Sequence, residues 1–134
     1  PSKTDLGSPA KGPGRGGPIT KEPGMLGYKE ICLNLKQGCK EVVPDKVDAP
    51  YAYSGDQWVG YDDKKSIGIK VDYLIKEGLG GVMVWSLETD DYRGNCYGEK
   101  YQLLSHFYTK LNVPGVRPTI NPNITPTVGP KPTG

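Results

Sequence analysis

Apolar residues recur along the chain in two rhythms, and the switches between them mark its elements. From Met25 to Gln37, Tyr28, Ile31, Cys32 and Leu35 fall at i, i+3, i+4 and i+7, one face of a helix that Gly38 ends. Residues 39 to 50 are charged and interrupted by Pro44 and Pro50, and read as a broken connection. Two aromatic-rich runs follow, Tyr51-Ala52-Tyr53 and Trp58-Val59-Gly60-Tyr61, around the polar turn Ser54-Gly55-Asp56-Gln57, which is the pattern of a β-hairpin. Asp62-Asp63 then offers a helix cap and negative charge at a helix start, and Ile67, Val71, Leu74 and Ile75 continue on one face until Gly78. Near the far end Leu103, Leu104, Phe107, Tyr108 and Leu111 mark one face of a last helix.

Between the last two helices lies the stretch that organises the rest. Gly80-Gly81 opens it, Val82-Met83-Val84-Trp85 is unbroken by any polar residue, and Asp90-Asp91 closes it. An apolar run without alternation suits a parallel strand covered on both faces, so the spacing predicts helix, buried strand, helix, as in an α/β repeat. In such folds the carboxyl ends of the strands carry the site, and Trp85 lies there.

The segments Ala49-Pro50-Tyr51-Ala52-Tyr53, Asp56-Gln57-Trp58-Val59-Gly60-Tyr61-Asp62-Asp63 and Gly80-Gly81-Val82-Met83-Val84-Trp85 resemble, in order, the carboxyl-terminal part of an animal-type chitinase of glycoside hydrolase family 18. The resemblance runs from about Gly7 to Leu111. It implies an α/β fold class: the C-terminal part of a (β/α)8 TIM barrel with a small α+β insertion domain before the eighth strand. On that reading residues 1–61 belong to the insertion domain, residues 62–111 form the last helix-strand-helix of the barrel, and residues 112–134 form a Pro/Thr-rich linker. A whole barrel needs roughly 250 residues, so 134 residues that begin with Pro and show no signal-peptide pattern over Pro1 to Gly17 are expected to be a piece of a longer precursor.

Composition narrows the partners. Much of the bias toward Gly (19) and Pro (13) sits at the two ends, where these residues break regular structure: a loop over residues 1–19 and an extended segment from Asn112. The resemblance places a Gly/Pro-rich excursion at the start of the insertion, before a segment matched by Thr20-Lys21-Glu22. Family chitinases often carry such a linker before a small chitin-binding module; if this protein has one, it lies past Gly134. A net charge of +2 with lysines scattered among acids gives no nucleic-acid footprint, and no run reaches the roughly 20 apolar residues of a membrane span. His106 is the only histidine, lies off the apolar face of its helix and has no companion at ligand spacing, so neither a metal nor a cofactor is expected.

Three cysteines leave one over after any single bridge. The resemblance pairs Cys32 with Cys96, tying the insertion to the barrel, and leaves Cys39 unassigned; the alternative is three reduced thiols in a cytosolic protein. A secreted, extracellular protein is favoured by the linker and the cysteines, and would make Asn123-Ile124-Thr125 a glycosylation acceptor.

Trp85 is the leading candidate for chemistry. An indole offers a flat apolar face to a pyranose ring and keeps an N–H for hydrogen bonding, although by itself it could equally be a core residue. The resemblance makes it the floor of the subsite that holds the reacting N-acetylglucosamine. It makes Met83, two residues earlier, a residue lining the same pocket, and Glu22 an acid reaching over the cleft. Trp58 is either a cleft-wall platform or hairpin core, and the second is favoured. Lys29 stands where the family usually has Tyr, off the apolar helix face. Adjacent Asp90 and Asp91 point to opposite sides of an extended chain, which suits shaping a turn rather than a catalytic pair. The family's acidic motif, Asp-x-x-Asp-x-Asp-x-Glu, occurs nowhere in this chain. In family 18 its Glu protonates the leaving oxygen while the substrate's own N-acetyl oxygen attacks, so this chain is expected to supply binding residues for chitin or chito-oligosaccharides and not the acid. A non-catalytic chitin-binding lectin and a matrix protein of a chitinous shell or cuticle remain alternatives.

Overall fold

A computed structural model describes residues 3–111. Helix α1 spans Tyr28–Lys36, strand β1 Lys40–Val42, strand β2 Tyr51–Ser54, strand β3 Gln57–Gly60, helix α2 Lys64–Lys76 and helix α3 Gln102–Leu111, with a 3-10 turn at Leu87–Thr89. The result is a mixed α/β arrangement. Its sheet has the order β1-β2-β3, antiparallel throughout.

Both α1 and α2 end by the same device. Gly38 and Gly78 adopt positive φ, and in each case the next residue's N–H reaches back five positions, Cys39 N to Asn34 O at 3.1 Å and Leu79 N to Leu74 O at 3.0 Å. A left-handed residue after the last turn satisfies the orphan carbonyls, and glycine takes it without a Cβ clash. The start of α2 is closed reciprocally: Ser66 N donates to Asp63 Oδ1 (2.7 Å) and Asp63 N donates to Ser66 Oγ (2.9 Å).

The hairpin forms in the expected register, with Tyr53 opposite Trp58 and Ser54 opposite Gln57. Its aromatic residues share one face, where the Tyr51 and Trp58 rings stack with centroids 5.0 Å apart. Trp58 is neither plain core nor free platform: it is 44% exposed and its indole Nε1 donates to Thr4 O at 3.1 Å. In the segment read as a broken connection, Lys40–Val42 adds a third strand by pairing with β2, Val42 opposite Tyr51. Its Lys and Glu are what an edge strand tolerates, and they hid it.

The principal correction concerns Val82–Trp85. No strand forms there, and among the described residues no ladder partner lies beside it; Val82 is 42%, Met83 77% and Trp85 85% exposed where a buried strand was expected. A strand is a property of pairs, and the described sheet already terminates at β1 and β3 elsewhere in the fold. The flanking helices pack on each other. A Cβ on Gly68 of α2 would stand 3.3 Å from His106 Nε2 of α3, and Lys110 Nζ donates to Gly68 O at 3.1 Å and pairs with Asp72 at 2.6 Å. His106 therefore faces α2, not away from it, while Tyr108 is 70% exposed. Small Gly68 makes the polar His–Lys side the contact face. The core is carried by Ile31, Cys32, Tyr51, Ala52, Ile67, Val71 and Leu74, all buried. Residues 112–134, with Asn123 and the expected linker, lie outside the described residues.

Candidate functional site

The first turn of α1 and the loop 86–96 are laced together, and this knot sits beside Trp85. Cys32 and Cys96 are disulfide-bonded with Cα atoms 5.8 Å apart, within the ordinary range, and both are buried. Cys39 is free. Tyr28 Oη donates to Gln102 Oε1 at 3.0 Å, joining α1 to α3; burial, with Tyr97 and the acids around it, pushes that phenol well above its ordinary range. Lys29, expected off the packed face, is instead 9% exposed, and its Nζ donates to Glu88 O at 2.6 Å while standing 4.6 Å from the centre of the Tyr92 ring. A long aliphatic stem lets a lysine cross a packed surface and deliver its amine to a carbonyl beyond.

Glu30 works in the opposite direction along the chain. Its buried carboxylate accepts from Ile19 N (2.7 Å), Thr20 N (3.1 Å) and Gly27 N (2.9 Å). Burial alone would raise its pKa; the three backbone donors and the Thr20 hydroxyl outweigh burial and hold the carboxyl below its ordinary range. Gly17 leaves room for it, since a Cβ there would lie 2.2 Å from Glu30 Oε1. The segment 17–20 leading to Glu22 is thereby pinned to α1.

After Trp85, whose peptide bond to Ser86 is cis, Ser86 and Thr89 close the 3-10 turn: Thr89 Oγ1 donates to Ser86 O at 2.6 Å. Ser86 Oγ donates to Glu88 Oε1 at 2.6 Å, which holds the Glu88 carboxyl below its usual range. Asp90 and Asp91 are buried and structural. Asp90 Oδ2 accepts from Leu103 N and Leu104 N, both at 3.1 Å, so it caps α3 from twelve positions upstream, and Asp91 Oδ2 accepts from Cys96 N at 2.7 Å.

Met83 and Trp85 thus stand exposed on one extended segment. Glu22 is exposed as well, and among the described residues no hydrogen bond or ion pair reaches its carboxylate. No hydrogen bond or ion pair joins it to either of the other two. A small cleft of about 80 Å³ opens elsewhere, between the loop at Gly14–Leu26, α1 and the sheet, where Cys39, Tyr53 and Trp58 line it, and none of the three candidates does. No group of three or more His, Cys, Asp or Glu among the described residues could hold a metal ion, and no described helix is long and apolar enough to cross a membrane. The sequence marks Lys29 only as a departure from the family's Tyr and does not mark Glu30; two adjacent charges on a helix look like solvated surface. The one signal was their position inside the turn that also carries Tyr28 and Ile31.

The sequence profile of Glycosyl hydrolases family 18 matches residues 2–90, and the chain belongs to that family. It is 47% identical over 104 residues to human chitinase-3-like protein 2, an alignment covering 77% of this chain and 26% of the relative. Mouse chitotriosidase-1 is 40% identical over 126 residues, covering 93% of this chain and 26% of that protein. Among solved structures, human YKL-39, described as a pseudo-chitinase with retained chitooligosaccharide binding properties, superposes with a TM-score of 0.80 at 44% identity, over 84% of this chain and 31% of that one. The chain is part of the fold of a chitinase or chitinase-like protein, and it spans 26% of each of those two curated relatives.

Proposed function

We propose that the chain is the sugar-binding C-terminal portion of a secreted family 18 chitinase that hydrolyses the β-1,4 bonds between N-acetylglucosamine units of chitin. Trp85 carries the reading. Its indole is 85% exposed, at the end of the segment that resembles the eighth strand of the barrel, and offers its face to a pyranose ring. Met83, 77% exposed and two residues earlier, extends that apolar surface, and Glu22, exposed just beyond the pinned segment 17–20, is the hydrogen-bonding acid this reading assigns to the cleft. Residues 1–61 then belong to the insertion domain, 62–111 to the last unit of a (β/α)8 barrel and 112–134 to a linker bearing Asn123 as a glycan acceptor. The buried Cys32–Cys96 disulfide supports an extracellular setting, because reducing compartments do not maintain such bridges. The catalytic acid belongs to a part of the protein upstream of Pro1, and binding energy from this portion is used to distort the sugar toward its transition state.

A second reading, a chitin-binding lectin without turnover, is favoured by one observation: YKL-39, 44% identical, is described as a pseudo-chitinase that retains binding. Calorimetry and a hydrolysis assay on the full-length protein separate the readings. Trp85→Ala is expected to weaken chito-oligosaccharide binding by roughly 1–3 kcal/mol, the worth of a large aromatic contact. Unchanged affinity with the fold intact refutes the site. Binding without hydrolysis selects the lectin.

A further inference from the structure

The first hydrogen bond after Trp85 that reaches another element is the one from Lys29. Among residues 86–90 themselves the bonds are local: Thr89 N donates to Ser86 O, Asp90 N to Leu87 O, Ser86 N to Thr89 Oγ1, Thr89 Oγ1 to Ser86 O and Ser86 Oγ to Glu88 Oε1, and the Asp90 carboxylate that caps α3 comes later in the chain than Glu88. Upstream of Trp85 the last tertiary hold is equally local, Leu79 N to Leu74 O at the end of α2. Lys29 Nζ breaks this pattern by crossing from α1 to Glu88 O, three residues past the indole, with the Tyr92 ring beneath its amine at 4.6 Å. The backbone around Lys29 is itself fixed. Cys32, one turn on, is bonded to Cys96, and a Cβ on Gly27 would stand 3.0 Å from Thr89 O, so the helix start already abuts this turn. Burying a lysine to 9% exposure sacrifices hydration, and the protein recovers it through one carbonyl and one aromatic face, both in the loop that follows Trp85.

We infer that Lys29 is a positioning residue for Trp85: it fixes the loop after the indole to α1 and so sets where the sugar-binding face stands. The inference builds on the sugar-site reading for its consequence in binding, but not for its structural content.

The test uses the full-length protein labelled with 5-fluorotryptophan, the Trp85 fluorine resonance being assigned by Trp85→Phe. Lys29→Met removes the donor and the cation while keeping the stem. It is expected to move or broaden the Trp85 resonance and weaken chito-oligosaccharide binding about tenfold, the low end of what a charge-assisted hydrogen bond is worth, whereas Lys29→Arg recovers affinity to within about twofold. Tyr92→Leu, which leaves Lys29 in place, is expected to perturb the same resonance and serves if Lys29→Met does not fold. A Trp85 resonance unmoved by whichever of these variants folds overturns the inference. If the resonance moves but Trp85→Ala leaves binding unchanged, the positioning role stands and the sugar-site reading falls.

Discussion

Reduction of the Cys32–Cys96 bridge tests how α1 is held to the loop after the 3-10 turn. The two cysteines are 64 residues apart in sequence, and both are buried, 0% and 2% exposed. Chain-entropy arithmetic for a loop of that size gives about 4 kcal/mol of stabilisation through the unfolded ensemble. Native contacts across the bridge, Lys29 with Glu88 and Tyr28 with Gln102, survive reduction, so the loss should fall on the unfolded side. The assay is guanidinium denaturation of the full-length protein, oxidised and reduced, with Cys39 alkylated to prevent exchange and a Cys32→Ala/Cys96→Ala variant as control. The expected result is a fall in unfolding free energy of about 3–4 kcal/mol in the transition that reports this region, with the variant losing somewhat more because it also deletes buried sulfur atoms. A loss below about 1 kcal/mol, or peptide mapping that finds Cys39 paired with either partner, refutes the reasoning.

Glu30 yields a pH prediction. Its folded carboxyl is held below the ordinary value of 4.5, so the unfolded state binds more protons between the two values; its stabilisation is fully present above the unfolded value and is lost as pH falls through the folded one. Glu30→Gln should therefore lower stability by about 2 kcal/mol at neutral pH and flatten the acid limb of the stability profile; an unchanged acid limb counts against the clamp. Gly17→Ala drives a methyl into the same carboxylate and should destabilise by roughly 1–3 kcal/mol in thermal or denaturant unfolding, with a neutral outcome showing that the 17–20 segment yields freely.

The helices and the hairpin were legible because their apolar spacing and their glycine and aspartate punctuation act locally. Gly38, Gly78 and Asp63 do in the structure what their positions predict. What escaped was decided by partners distant in sequence. Lys40–Val42 is a strand only because Tyr51–Tyr53 lies opposite. Lys29 is buried only because a carbonyl 59 positions away waits for it, and Asp90 caps a helix whose first turn begins twelve residues later. Val82–Trp85 shows the converse, a sequence rich in strand formers that makes no ladder among the described residues. Of the candidate site, the run that carries Met83 and Trp85 was readable as apolar residues meeting acids, whereas the hold of Lys29 and Glu30 on their neighbours was not, since adjacent Lys and Glu on a helix look like solvated surface and their place in the turn of Tyr28 and Ile31 is a weak signal.

The exposed segment after α2 also has a bearing on how this polypeptide behaves in the test tube. From Gly78 to Leu87 the sequence carries no charge, and Leu79, Val82, Met83, Trp85 and Leu87 all stand open to solvent. Extended, apolar, uncharged backbone with free N–H and C=O groups is a template for intermolecular pairing. Expressed by itself, the polypeptide should accumulate as insoluble oligomers nucleated at this ribbon, and a charged substitution at Val82 or Val84 should raise its soluble yield.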